Sequence, residues 1–247
     1  MSGSHPTCTH HDDMPAIAVC TRCNGDICAP CHHADLRGFA ICGPCRRQLL
    51  PPTIAWERDD HTSSLARFFT TAMMALRGPR SFFSRFSFGP HWGPAAFFGI
   101  LCIAVGSAMG TGWQRAFSDT YAEQLQRVQA DVGVSLPIIE FLVFATIPFA
   151  AVMLYFVHTA LLFAMLRIAR VQSASWTATA RITGYSMAAH LLFVFPPVGQ
   201  FSLGHFLMLI WLFNLEVAAL RGLFGLRFWK SIGVVLLPLF VFMFTLG

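Results

Sequence analysis

The chain has 247 residues, of which 55% are hydrophobic and only 12% charged, with a formal net charge of +5. That charge fraction is about half of what a soluble domain carries. Together with 25 phenylalanines, it excludes a disordered chain, a nucleic-acid coat and a simple soluble enzyme, and it points to a membrane protein.

Seven of the eight cysteines fall within residues 8–45, and only Cys102 lies beyond. The averages therefore join two chemically different pieces. Residues 1–50 balance Asp12, Asp13, Asp26 and Asp35 against Arg22, Arg37, Arg46 and Arg47, so the head is formally neutral. A nucleic-acid binder concentrates its bases in the folded polar module; here the excess lies beside the apolar segments, so no nucleic-acid partner is expected. Residues 1–15 have neither a basic start nor an apolar run, and the head is expected to stay in the cytoplasm.

The head reads Cys8-x2-His11, Cys20-x2-Cys23, Cys28-x2-Cys31 and Cys42-x2-Cys45. Four close pairs supply ligands for two tetrahedral sites, and zinc suits mixed thiolate and imidazole donors. Disulfides fit poorly with an odd number of cysteines in a cytoplasmic head, each of them in a short pair. A redox pair and an iron–sulfur centre are the weaker alternatives. His10, His32 and His33 adjoin ligands and are expected to be exposed or to act as outer donors, while His5 belongs to the tail. Ile17, Val19, Ile27, Leu36, Phe39 and Ile41 are the apolar core candidates. So small a core leaves much of the folding free energy to metal. A catalytic zinc needs an open coordination position, and eight ligands for two ions leave none.

This pattern resembles the B-box zinc finger. The resemblance implies that Cys8, His11, Cys28 and Cys31 hold one zinc and that Cys20, Cys23, Cys42 and Cys45 hold a second. The last pair departs from the family, which often closes with two histidines. Protein binding is the role the resemblance implies for residues 1–50.

Residues 51–66 open on Pro51-Pro52 and read as a linker. Residues 67–93 form a juxtamembrane amphipathic segment whose aromatic clusters alternate with Arg67, Arg77, Arg80 and Arg85, with no acid and with a break at Gly78-Pro79. Residues 94–247 are then expected to be an all-α polytopic membrane domain of five transmembrane helices, at 94–112, 137–166, 184–201, 203–220 and 230–246, with a four-span version that merges 184–220 into a re-entrant pair plus a helix as the alternative. Gly106 and Gly110 form a small-xxx-small pair in the first. Connections on the side of the head carry seven, three and three bases, and those on the other side two and none. The positive-inside rule then places the N-terminus in the cytoplasm and the C-terminus outside.

Three stretches of the body resemble the Yip1 family: ALRGPRSFFSRFSFGPHWGPAAFFGILCIAVG, GYSMAAHLLFVFPPVGQ and LEVAALRGLFGLRFWKSIGVVLLPLFVF. The resemblance covers roughly residues 68–246 and implies five spans, a cytoplasmic N-terminus and a non-enzymatic role in membrane organisation or trafficking-like processes. One lysine among seventeen bases suits a GC-rich bacterium and its inner membrane.

Neither an HExxH protease motif nor a phosphate loop occurs. Ser107 lacks the flanking pattern of a rhomboid-like nucleophile that His190 or His205 could serve. The expectation is a non-enzymatic scaffold or adaptor that binds an unidentified cytoplasmic protein, with homo-oligomerisation open. The alternative is a small transporter or channel with a zinc-binding regulatory head, using an intramembrane polar site of Glu216, Asn214 and His158. Outside such a site, Glu216 is expected to pair with Arg221 or to lie close to the headgroups, and Glu140 is expected at the interface.

Overall fold

Short hairpins shape the head because its sequence interleaves cysteine knuckles with extended stretches of two residues, or five in one case. β1 (Thr7–Cys8) pairs antiparallel with β2 (His11–Pro15), β3 (Ala18–Val19) with β4 (Asp26–Ile27), and β5 (His33–Ala34) with β6 (Ala40–Ile41). The computed structural model describes residues 6–21, 23–34, 39–43, 45, 54–57, 62–84, 91–198 and 202–246. By contact pattern the chain divides into a head ending at Thr53 and a body that begins at Ile54.

The core of the head consists of six buried cysteines with Ile27 and Ile41, flanked by Met14, Ala18 and Ala40. Ile17, Val19 and Phe39, expected inside, are each more than half exposed. Leu36 and His5 lie outside the described residues. Two-residue strands place few side chains on any one face, so sulfur takes the position that aliphatic carbon usually fills.

The body is helical. α1 (Ser64–Arg77) starts where the Ser63 hydroxyl accepts from the Ala66 N–H, and it buries Phe68, Thr71, Ala72 and Ala75 along one stripe. α2 (Pro79–Ser84) follows the expected break and buries Phe82 and Phe83. α3 (Gly93–Phe117), α4 (Asp119–Val132) and α5 (Leu136–Ile168) come next. α6 (Trp176–Ser186) continues directly into a 3-10 helix, Met187–Val194. α7 (Leu203–Phe224) ends at Gly225, whose positive φ of 63° is the left-handed cap that glycine adopts without strain. α8 (Phe228–Leu246) closes the chain.

Three of these helices, α3, α5 and α7, are long and apolar enough to cross a membrane. Many large apolar side chains face outward, among them Phe97, Phe141, Phe149 and Phe240. A soluble surface does not carry so much exposed aromatic area, and a bilayer solvates it.

Several boundaries differ from the sequence reading. The element expected at 184–201 instead occupies 176–194 and stops ahead of Pro196-Pro197. Its first part contains Thr177, Thr179, Arg181 and Thr183, which hide it from a hydropathy scan; packing buries every residue from Ala178 to His190. The connection between the first two spans folds as the polar helix α4. The linker assigned to 51–66 is too long: residues 54–57 dock on the body and α1 is under way by Ser64.

α3 and the 176–194 element run side by side and parallel, at backbone distance. A Cβ at Gly99 would lie 2.8 Å from the Gly184 backbone, one at Gly184 would lie 2.2 Å from the Ala95 carbonyl oxygen, and one at Gly106 would lie 2.3 Å from the His190 carbonyl oxygen. Glycine is required at these crossings. Gly110, paired with Gly106 in the sequence reading, meets the Phe193 ring instead; the close seam continues through Gly99.

Candidate metal centres and the buried polar groups of the body

Hairpin geometry brings the ligand pairs of the head together across the chain. Cys8, His11, Cys28 and Cys31 form one group of four; Cys20, Cys23, Cys42 and Cys45 form the other. Within each group all four ligand atoms lie within 4.8 Å of one another. The imidazole presents Nδ1, at 3.3 Å from Cys28 Sγ, 3.3 Å from Cys31 Sγ and 3.8 Å from Cys8 Sγ. Cys23 and Cys42 Sγ are 3.8 Å apart in the second group. The pairs interleave along the sequence, first with third and second with fourth, so each centre pins the loops that carry the other.

The knuckles also supply N–H donors to sulfur. His10 N–H donates to Cys8 Sγ, Cys42 N–H to Cys20 Sγ, and Cys45 N–H to Cys42 Sγ. Such bonds stabilise thiolate and fix its direction. Asn24, with a φ of 55°, turns the chain after Cys23, a conformation asparagine tolerates better than most residues. A Cβ on the following Gly25 would sit 2.9 Å from Thr9 Oγ1.

The electrostatics are those of an anionic nest. Burial raises the Cys8 thiol, but N–H donors from His10 and Cys28 outweigh it and bring its pKa down to about 6. Burial, with Cys28 and Cys8 beside it, pushes Cys31 up to about 11. Cys42 beside it, together with burial, pushes Cys45 up to about 12. Once one sulfur ionises, its neighbours resist, and a cation at the centre removes that resistance. Both groups fit a four-coordinate, thiolate-preferring metal ion with every position taken by protein. His10 and His32 are exposed, and neither belongs to a ligand group among the described residues.

In the body, Glu216 and His158 form a hydrogen-bonded pair, Oε1 to Nε2, at 2.6 Å, with both side chains at most 1% exposed. Glu216 thus turns to α5, rather than to Arg221 or the headgroups as the sequence reading expected. Asn214 is exposed and lies away from them, beside Arg221 and Arg80, so the three-residue polar site does not assemble. Glu216 Oε2, Thr183 Oγ1 and Ser186 Oγ, all buried, find no hydrogen-bond partner among the described residues. Glu140 pairs with Arg115 at 3.0 Å, joining the end of α3 to the start of α5.

A second buried cluster was not foreseen. Arg181 Nη2 donates to Glu57 at 2.8 and 2.9 Å, Arg181 Nη1 donates to the His91 carbonyl at 2.8 Å, and the Tyr185 hydroxyl donates to Glu57 Oε1. Trp56 anchors the same segment: its backbone N–H donates to Thr71 Oγ1, its Nε1–H donates to the Pro94 carbonyl, and its ring stacks on Phe97 at 6.0 Å. The available signal was the apolar triplet Ile54-Ala55-Trp56 inside an otherwise polar stretch.

Fold and site together define a helical, membrane-compatible body preceded by a head with two metal-ready Cys/His centres. No protein-family profile, curated protein or solved structure matches the chain.

Proposed function

We propose that this protein is an integral membrane scaffold or adaptor in which a five-span, Yip1-like body displays a B-box-like, zinc-bound protein-interaction head on the cytoplasmic face of a bacterial inner membrane. The observation that carries the reading is the pair of complete ligand groups. A tetrahedron with Zn–S bonds of about 2.3 Å has edges of about 3.8 Å. The His11 Nδ1–Sγ separations of 3.3–3.8 Å and the Cys23–Cys42 Sγ separation of 3.8 Å are close to it, and every ligand atom of each group lies within 4.8 Å of the others. With every position held by protein, such an ion is structural. It shapes a surface rather than a reaction centre.

Five spans need two further crossings beyond α3, α5 and α7. The 176–194 element supports one of them: 11 residues of α-helix and 8 of 3-10 helix rise about 1.5 and 2.0 Å per residue, or roughly 32 Å in all. The hydrocarbon core is about 30 Å thick. α8, with 19 residues, supplies about 28 Å. Polar contacts also sort to two ends: Glu57, His91 and Arg181 meet at one, and Arg115, Glu140, Trp113 and Phe193 at the other. This agrees with the alternation that the charge count requires.

Crosslinking and pull-down from native membranes test the reading. Partners are expected with the parent chain and lost with Cys28→Ala or Cys42→Ala; identical partner sets would contradict an interaction role for the head. A transporter is the second reading, and the buried His158–Glu216 pair is what favours it. Ion or substrate flux through reconstituted protein, abolished by Glu216→Gln, would establish that alternative.

A further inference from the structure

A cavity of about 400 Å³ opens between α2, the C-terminal turns of α7 and the first residue of α8. Arg80 and Ser84 line it from α2, Asn214 and Arg221 from α7, and Phe228 from α8. Among the described residues no carboxylate lines it. None is near in sequence either: no acidic residue occurs between Asp60 and Asp119, and Glu216, on the same helix, is turned to His158. Arg80, Arg221 and Asn214 therefore line one cavity, with no carboxylate among its described lining residues.

The Arg221 guanidinium carbon lies 5.5 Å from the centroid of the Phe228 ring, which holds its fork in place by cation–π attraction. The carbonyl end of α7 would repel an anion, but the N–H of Gly225 takes the Leu220 oxygen and blunts that end. The half-exposed Phe228 lines the cavity, and the ring of Trp229, 79% exposed, lies 5.3 Å from it. Exposed aromatic residues beside arginine are the composition of a membrane–water boundary.

We infer that this cavity is an anion site for a phosphate group, supplied by the headgroup of an anionic phospholipid in the leaflet next to α2. Arg80 and Arg221 grip the phosphate oxygens by charge-assisted hydrogen bonds, Asn214 donates a further one, and the acyl chains follow the apolar surface beside Phe228 and Trp229. The inference goes beyond the adaptor role and rests only on the membrane placement of the body.

Full-length protein, purified and delipidated in neutral detergent, is titrated with phosphatidylglycerol, phosphatidylcholine and inorganic phosphate, with bound species counted by native mass spectrometry. Phosphatidylglycerol is expected to bind at least about fivefold more tightly than phosphatidylcholine. Arg80→Gln and Arg221→Gln should each remove about fivefold of its affinity. Arg77→Gln removes the same charge from the neighbouring helix outside the cavity and should leave the affinity within about twofold. Arg80 is exposed, so its variant reports on the site even where Arg221→Gln disturbs folding. Binding of inorganic phosphate that is lost in Arg80→Gln, with no preference between the lipids, would support the phosphate site and make the source a soluble compound. Equal binding of both lipids with no phosphate binding would overturn the inference, as would an Arg77→Gln loss equal to that of Arg80→Gln.

Discussion

Glu57→Ala tests whether the segment ahead of α1 is part of the body or only a tether. The Glu57 carboxylate takes two contacts from Arg181 at 2.8 and 2.9 Å and the Tyr185 hydroxyl, while the Arg181 side chain is 3% exposed and that of Glu57 19%. Removing one partner of a buried ion pair costs about 3–5 kcal/mol. The partial exposure of Glu57 and the retained His91 carbonyl let water and backbone relieve some of that, which argues for the low end, about 3 kcal/mol. At roughly 2–4 °C per kcal/mol for a body of this size, the midpoint falls by about 6–12 °C. Tryptophan fluorescence during heating of the full-length protein in detergent reads it directly. Glu57→Gln keeps an acceptor for Tyr185 but loses the charge, and should fall between the two. Combining Glu57→Ala with Arg181→Met should cost less than the sum of the single changes, because neither strands a buried charge. A Glu57→Ala midpoint within about 2 °C of the parent would refute the docking and return residues 54–57 to the linker.

Other outcomes follow from the same structure. Gly184→Ala places a methyl 2.2 Å from the Ala95 oxygen and should destabilise the body by about 1–3 kcal/mol, whereas Gly233→Ala, with nothing within 4 Å of its Cβ, should be neutral or slightly stabilising in the same melt. A strong chelator should unfold the head and leave the helical signal of the body in place, seen as proteolysis confined to residues before Thr53. Metal loading should release protons, because Cys31 and Cys45, held up at about 11 and 12, must ionise to bind. Each released proton makes binding about tenfold tighter per unit of rising pH, so zinc affinity measured against a competing chelator should rise steeply from pH 6 to pH 8. A pH-independent affinity would contradict thiolate ligation.

Spacing alone carried much of the head. CxxC and CxxH pairs are local, so the ligand types were legible, and the resemblance to the B-box anticipated the interleaved grouping. The inward-facing apolar residues were not legible, because two-residue strands have too little period to mark a face, and Ile17 and Val19 ended up outside. In the body, hydropathy located α3, α5 and α7 within a few residues. It misplaced the 176–194 element because its Thr-rich and Arg-containing start is buried by protein rather than by lipid. Gly99 and Gly184 lie 85 residues apart, and His158 and Glu216 lie 58 apart; such pairings are set by how helices cross. Glu57 was hidden for the same reason, since its partners come from α6.

The most direct test of the central claim is the metal-to-protein ratio of the full-length chain extracted from the membrane fraction without added metal, measured by elemental mass spectrometry. The account predicts two zinc ions per chain, one for each four-ligand group. One ion or none, or an equivalent amount of iron, would contradict a head built on two structural zinc centres.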